Sequence, residues 1–317
     1  MTTGGYSFSS VTFMIAAHNR SALTLQTLES LAKVTIPNGV RVDCVIVANA
    51  CTDDTHTVVP ERARLMPFAT RMVVEERIGV GHARNRLVTE ATGDLLVFVD
   101  NDVRAETDLL VEHLRVYREH SADLVTGRIE LWFEETPDPG WLSPTMRQLL
   151  GENRQGDRTH RMSQPSAYGA NMSFRRAVLE IAGPFRTDVG RKGTQRMVGE
   201  ETLFAERAMD AGMSMYYCPS ALVHHWVAAS GLSDEYLMRS FRQTAMSIVI
   251  TARRVSPVRY LVTALLGCGR MIVGKCEAGA GRLVNTRNLV RRGRCRWSTG
   301  LGQLEGIRRR LSQGAAR

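Results

Sequence analysis

Short apolar runs alternate with amphipathic stretches through the first hundred residues. Val11 to Ala17 is apolar, bounded by Ser-Ser and His-Asn-Arg, and predicts a buried strand. Ser21 follows as a helix cap, with Leu23, Leu25, Leu28 and Leu31 along the helix. Val40 to Ala48 predicts a second strand, and Cys51-Thr52-Asp53-Asp54-Thr55 offers cap chemistry for another helix. A shorter strand covers Arg71 to Glu75. Gly79-Val80-Gly81 opens a helix to about Ala91, and Gly93-Asp94 turns into the continuous apolar strand Leu95 to Val99. Strands alternating with helices at this spacing predict βαβ units and a parallel sheet buried on both faces, an α/β fold.

The pattern changes after Asp102. A helix is expected near Thr107 to His120 and a strand near Asp123 to Phe133. Glu134 to Ser166 is long, polar and rich in Pro and Gly, the composition of a functional loop or lid. A core stretch runs from Tyr168 to Ile181, then a Gly/basic loop from Gly183 to Gly199. Glu200 to Ala211 predicts a helix, Met213 to Val223 a strand, and Ser233 to Arg254 another helix. The tail beyond Pro257 contains ten glycines and shows no clear long period.

Four features carry candidate chemistry. Asp100-Asn101-Asp102 puts two carboxylates at the C-terminal end of an apolar strand, the edge where open α/β sheets bind ligands. Oxygen ligands there suit Mg²⁺ or Mn²⁺ bridged to phosphate; a plain turn explains the same residues about as well. Gly199-Glu200-Glu201 opens a helix. Its acids gain roughly 0.3–1 kcal/mol from the helix dipole, and either is also placed to act as a general base. His224-His225 follows an apolar strand, where alternation lets at most one imidazole face a site. Gly79-Val80-Gly81 before a helix brings amides toward a phosphate, a weak signal by itself, and Arg84 beyond it has a rival role pairing with carboxylates.

Charge changes the picture of the tail. The 317-residue chain carries a formal +9. From Thr251 onward there are 15 Lys and Arg against two acids, a net +13. The first 250 residues hold 26 bases and 30 acids, a net −4. The body is slightly acidic and the extension strongly basic, with residues 8–250 as one domain and 251–317 as the other. No nucleic-acid motif accompanies the bases, so a nucleic-acid partner is not expected. An apolar patch between Arg259 and Arg270, followed by Arg291, Arg292, Arg294 and Arg296, suits an anionic membrane surface, with a solvated basic tail as the plainer alternative. Ten apolar residues are too few to cross about 30 Å of hydrocarbon. The N-terminus lacks the basic start and apolar core of a signal peptide. None of the six cysteines forms a C-x-x-C pair, so buried free thiols are expected. The expected location is cytoplasmic, peripheral on the inner face of the membrane.

Taken together these segments resemble glycosyltransferase family 2, the nucleotide-sugar-dependent enzymes of the GT-A fold. The resemblance covers about residues 8 to 245 and runs in the family's order. It begins with Ala16-Ala17-His18-Asn19-Arg20 and Val45 to Thr55. It continues through Gly79 to Asn85 with its Ala-Arg-Asn core, and Asp100-Asn101-Asp102. Tyr168 to Arg176 resembles the acceptor-side segment, and Gly183-Pro184-Phe185, Gly199-Glu200-Glu201 and Pro219 to His225 follow. It implies a mixed, mainly parallel sheet flanked by helices, followed here by a basic helical extension. It implies metal ligation by Asp100, Asp102 and His225, and nucleotide-sugar contacts from Ala17, Asn19, Arg20, Asn49, Asp54, Arg84, Asp100 and Asn101. The catalytic base falls on Glu201, with Glu200 its rival. Ala48 stands where many members carry Asp against the nucleobase. That departure leaves the donor base open; UDP-sugar is the default donor, with GDP and dTDP as alternatives.

The implied reaction is metal-assisted sugar transfer with inversion. The acceptor is open among a glycan, a lipid-linked carrier and a small molecule, with Trp132 and Trp141 on its side of the cleft. Trp141 has two equal roles, stacking on a sugar or packing in a lid. Arg186, Arg191, Lys192 and Arg196 form a basic loop that either closes over the diphosphate or stays solvated. A sugar nucleotidyltransferase is the rival enzyme class; it calls for a Gly-rich basic loop after the first strand, where this chain has Ala16 to Arg20. A non-catalytic sugar-nucleotide-binding protein is the other rival, disfavoured by the acids at both motif positions.

Overall fold

A computed structural model describes residues 5–137, 140–192, 195–252 and 257–314. The expectation for Arg196 concerns a side chain outside what is described, and residues 193–194 of the same loop and 253–256 at the start of the tail also lie outside it.

The chain divides into two compact units. One comprises Met1–Trp132, Gly151–Asp188 and Glu200–Trp226; the other comprises Phe133–Leu150, Val189–Gly199 and Val227–Arg317. The first unit runs β1 (Ser10–Ala17), α1 (Ser21–Leu31), β2 (Arg41–Asn49), α2 (Thr55–Ala63), β3 (Ala69–Glu75), α3 (Val80–Glu90) and β4 (Leu95–Phe98). It continues with β5 (Val103–Ala105), α4 (Leu109–His120) and β6 (Leu124–Phe133). The second unit contributes α5 (Pro144–Leu149). The first then resumes with β7 (His160–Arg161), β8 (Met172–Arg175) and α6 (Ala177–Ala182). A hairpin of β9 (Arg191–Lys192) and β10 (Gln195–Arg196) belongs to the second unit, α7 (Glu200–Asp210) and β11 (Met215–Val227) to the first. The second closes with α8 (Asp234–Thr251), α9 (Pro257–Leu283) and α10 (Arg287–Gly314).

The main sheet has the order β3-β2-β1-β4-β8-β6-β11-β5, with β7 on β11. β3, β2, β1 and β4 are parallel, and β8 joins β4 antiparallel. Side chains alternate between two cores along each strand. Phe13, Ile15, Ile46 and Val97 face the α1, α2 and α4 side, against Leu28, Val59 and Tyr117. Met14, Val45, Val47 and Phe98 face α3, α6 and α7, against Leu87, Val178 and Phe204. Burial on both faces is why these strands read as unbroken apolar runs. The parallel register brings the ends of β1, β2 and β4 to one edge of the sheet.

Several boundaries moved for tertiary reasons. Ser21 is the first residue of α1 rather than its cap; its amide is satisfied from afar by Asp53 Oδ2 at 3.1 Å. β11 extends past Val223 to Val227, because β5 pairs with it antiparallel and matches His225 to Val103. The polar stretch 134–166 contains α5 and β7 rather than an uninterrupted loop. The cysteines depart from uniform burial: Cys44, Cys218 and Cys295 are buried, Cys51 is intermediate, and Cys268 and Cys276 are exposed on α9.

In the second unit Ser233 Oγ accepts the Tyr236 amide at 3.2 Å and caps α8. The tail does have a period. Gly267, Gly274 and Gly281 recur every seven residues on α9, as do Gly293 and Gly300 on α10. A Cβ on Gly274 would lie 2.5 Å from the Gly293 carbonyl oxygen, and one on Gly293 2.4 Å from that of Gly274. Only glycine lets the two backbones come so close. Gly302 and Gly306 do the same against Arg242 and Val249 of α8. Three of the arginines expected to face a membrane are committed inside this unit. Arg291 and Arg294 pair with Asp234, and Arg296 with Glu277 at 3.2 Å. Trp141 packs under Arg291, whose guanidinium carbon lies 4.2 Å from the ring centroid.

Candidate active site

The edge at the ends of β1, β2 and β4 collects nearly all the residues singled out in the sequence. Asn19 and Arg20 take left-handed backbone conformations, with φ of 57° and 61°, in the turn after β1. Asn19 Oδ1 accepts the Thr52 amide at 2.7 Å, and Asn101 Nδ2 donates to the Asn19 carbonyl at 3.2 Å. These bonds lock the three loop ends together. Asn49 is buried and fully used: its Nδ2 donates to the carbonyls of Glu75 and Arg77, and its Oδ1 accepts the Gly79 amide at 3.0 Å. Gly81 packs against the Arg186 backbone, where a Cβ would lie 2.4 Å from the carbonyl oxygen. The two glycines at 79 and 81 thus have structural employment. Asp54 makes no cap bond; Asp53 supplies that chemistry, with Oδ1 accepting the Thr55 amide at 3.1 Å. Ala17 is buried at the end of β1.

Arg84, only 3% exposed, organises one corner. Its guanidinium pairs with Glu200, with Glu201 at 2.6 Å and with Asp100 at 3.9 Å. It also lies 5.7 Å from the centroid of Phe98, part of a buried aromatic group with Phe174, Phe185 and Phe204. The Gly169 amide donates to Glu201 Oε1 at 3.2 Å. A Cβ at Gly169 would sit 2.0 Å from Arg84 Nη2, so the glycine makes room for the pair.

The two glutamates differ in protonation. Burial and the neighbouring Glu201 charge push the Glu200 carboxyl up to about 7, against the opposing pull of Arg84. Burial works the same way on Glu201, but Arg84 and backbone donors, Gly169 among them, outweigh it and hold that carboxyl below its usual range. One guanidinium is shared by two adjacent buried carboxyls, so Glu200 is pushed up while Glu201 is held down. Asp100 remains 36% exposed, at the open side. Its carboxyl is pushed up by desolvation and by the nearby acids, with Arg84 opposing.

Asp102 forms the other corner. Arg20 Nη1 donates to its Oδ2 at 2.8 Å, and His225 Nε2 lies 3.5 Å from its Oδ1. Asp102 Oδ1 and His225 Nδ1 are both buried without a hydrogen-bond partner among the described residues. The Trp226 amide donates to the Asp102 carbonyl at 2.8 Å, which fixes this strand end beside the acid. As strand alternation requires, His224 faces away and pairs with Glu106 at 2.9 Å. Gly151 backs the imidazole, where a Cβ would approach His225 Nδ1 to 3.2 Å.

Two residues escaped the sequence reading in these roles. The Arg20–Asp102 pair spans 82 residues, and no local pattern announces it. Gly169 was legible only as part of a motif, not as the spacer for Arg84.

Carboxylate oxygens and an imidazole suit a hard divalent cation. The orphaned Asp102 Oδ1, with His225 beside it and Asp100 two residues away, fits one. Among the described residues no three His, Cys, Asp or Glu side chains are grouped so that they could hold a metal ion by themselves. Mg²⁺-type sites commonly rely on one or two carboxylates, water and substrate phosphates.

The chain is 28% identical over 225 residues to the succinoglycan biosynthesis protein ExoM of Rhizobium meliloti (strain 1021), covering 68% of this chain and 67% of that one. It is 25% identical over 173 residues to the glucosyl-dolichyl phosphate glucuronosyltransferase of Haloferax volcanii, covering 53% of this chain and 55% of the relative. The fold is similar to the mannosyltransferase PcManGT from Pyrobaculum calidifontis, solved in complex with GDP-Man and Mn²⁺. The TM-score there is 0.64 at 19% identity, over 97% of this chain and 88% of that one. Residues 9–245 match the model of the glycosyltransferase like family 2, and the chain belongs to that family.

Proposed function

We propose that this family member transfers a sugar from a nucleoside diphosphate to an acceptor hydroxyl, inverting the anomeric carbon. The observation that carries the reading is the geometry at Arg84: its guanidinium pairs with both Glu200 and Glu201, and together with the Gly169 amide it holds the Glu201 carboxyl below its usual range. An ionised carboxylate beside the open Asp100 edge is what a general base requires. Glu201 takes the acceptor proton as the acceptor oxygen bonds to the anomeric carbon. The bond from that carbon to the diphosphate breaks on the opposite face, and its electrons leave with the diphosphate. Arg84 holds Glu201 in place, and Gly169 orients the carboxylate through its amide.

Asp100, Asp102 and His225 would hold a divalent cation, Mg²⁺ or Mn²⁺. Bound there, it neutralises charge that grows on the departing diphosphate. Arg20 fixes Asp102 through its other oxygen. UDP-sugar is the first donor to try, and the GDP-Man bound to the mannosyltransferase of similar fold puts GDP-sugars next. The acceptor is a glycan, a lipid-linked sugar or a small molecule, classes in keeping with the polysaccharide and dolichyl-phosphate names of the relatives.

The test is nucleoside diphosphate release from a panel of UDP- and GDP-sugars by the full chain, with and without Mn²⁺. Turnover that depends on Mn²⁺ and is lost in Glu201→Gln supports the reading. Full turnover in Glu201→Gln removes Glu201 as the base, and pyrophosphate release would move the chain to the nucleotidyltransferases.

A further inference from the structure

No helix among the described residues is long and apolar enough to cross a membrane. α9 is nonetheless strongly two-sided. Gly267, Gly274 and Gly281 lie on the side packed against α10. At 3.6 residues per turn, the opposite side carries Leu261, Val262, Leu265, Leu266, Ile272 and Val273. These six side chains are between 43% and 65% exposed. They form a stripe from Leu261 to Val273, about 18 Å of a 27-residue helix about 40 Å long. Scattered exposed apolar residues are ordinary; a continuous helical stripe is an interaction surface.

Basic residues border the stripe. Arg259 and Arg270 fall along one edge, Lys275 and Arg282 along the other. Glu277, the one acid in α9, is held by Arg296 at 3.2 Å. We infer that α9 lies flat on an anionic lipid surface, its apolar stripe in the headgroup boundary and its flanking bases on lipid phosphates. The charge argues for lipid over a second copy of the chain, since apposing two +13 tails would set like charges against each other. A basic amphipathic helix with its apolar face unpartnered has the form of an interfacial helix. The packing also changes which charges take part. Arg291, Arg294 and Arg296 are engaged within the unit, as is Arg270 with Gln303 at 2.5 Å, and the lipid contact falls chiefly to Lys275 and Arg282. This inference stands apart from the transfer reaction.

Flotation of the full chain tests it, with phosphatidylcholine vesicles and with phosphatidylcholine/phosphatidylglycerol vesicles at low and high salt. The expected result is recovery with the anionic vesicles that falls as salt rises. Leu261→Glu/Leu265→Glu should lower it about tenfold or more. Lys275→Gln/Arg282→Gln should lower it by about fivefold for each base removed. Circular dichroism melting checks that each variant keeps its helices, and donor turnover without vesicles should stay at the wild-type level. Equal recovery of wild type and the leucine variant overturns the inference, as does equal recovery on neutral and anionic vesicles. Sedimentation that shows a dimer lost in the leucine variant overturns it too, and assigns the stripe to self-association.

Discussion

Around Arg84 the protein pairs its charges with one another. One guanidinium serves Glu200 and Glu201, and the Gly169 amide takes up a carboxylate oxygen, while Arg84 Nε stays buried without a hydrogen-bond partner among the described residues. Around Asp102 the acid itself is left short. Arg20 satisfies one oxygen, while the other oxygen, 3.5 Å from His225 Nε2, and His225 Nδ1 are buried without a hydrogen-bond partner among the described residues. Both corners pay a desolvation cost, and the first recovers more of it within the chain. On the proposed function, the first corner would supply the base and the second would take the cation or the diphosphate.

The largest effect expected from breaking this contrast is at Glu201. Glu201→Gln keeps shape and loses the charge, and turnover should fall roughly 10²–10⁴-fold. Donor binding, followed by ligand-induced thermal shift, should persist. Arg84→Met comes next. It strands two buried carboxylates on α7, and removing one partner of such a group costs about 3–5 kcal/mol, read by urea denaturation.

His113 offers a buried polar group outside both corners. Its imidazole bonds to Asn171 and Ser173, each at 2.8 Å, and burial holds its pKa down near about 4. Because the folded pKa lies below the unfolded one, its neutral form supports the fold fully above about pH 6.5. As pH falls from there toward 4, the unfolded chain takes up the proton first. Roughly 3 kcal/mol of stability should be lost over that window. Urea midpoints across this range should show the loss, and His113→Gln should flatten it. The smallest effect belongs to the Asp102 corner. His225→Asn should raise the Mn²⁺ concentration for half-maximal turnover by about tenfold while leaving the urea midpoint nearly unchanged. A large stability loss there would mean that His225 is a packing residue.

Legibility followed the range of the interactions. β1, β2 and β4 were visible because burial on both faces leaves unbroken apolar runs, whereas β3 at the sheet edge is mostly exposed or half-buried. β5 was not, since three residues become a strand only by pairing with β11, more than a hundred positions away. The Asp100 and Asp102 pair stood out by its place after an apolar strand. That Asp102 buries an oxygen without a hydrogen-bond partner among the described residues was invisible. The glycine heptads of the tail were present in the sequence, yet an apolar-residue period does not detect them, because their signal is the absence of a side chain.

The sequence by itself determined the α/β order, the acids at the sheet edge, the family, and a basic extension set against an acidic body. These rest on local patterns: apolar period, strand-end acids and charge counts. The tertiary structure alone decided which glutamate carboxyl is raised and which lowered, which tail arginines are already paired, and which side of α9 faces outward. Each of those depends on distances between residues far apart in the chain. A carboxylate's charge state follows its nearest cation, and a helix face is free or covered according to what packs on it.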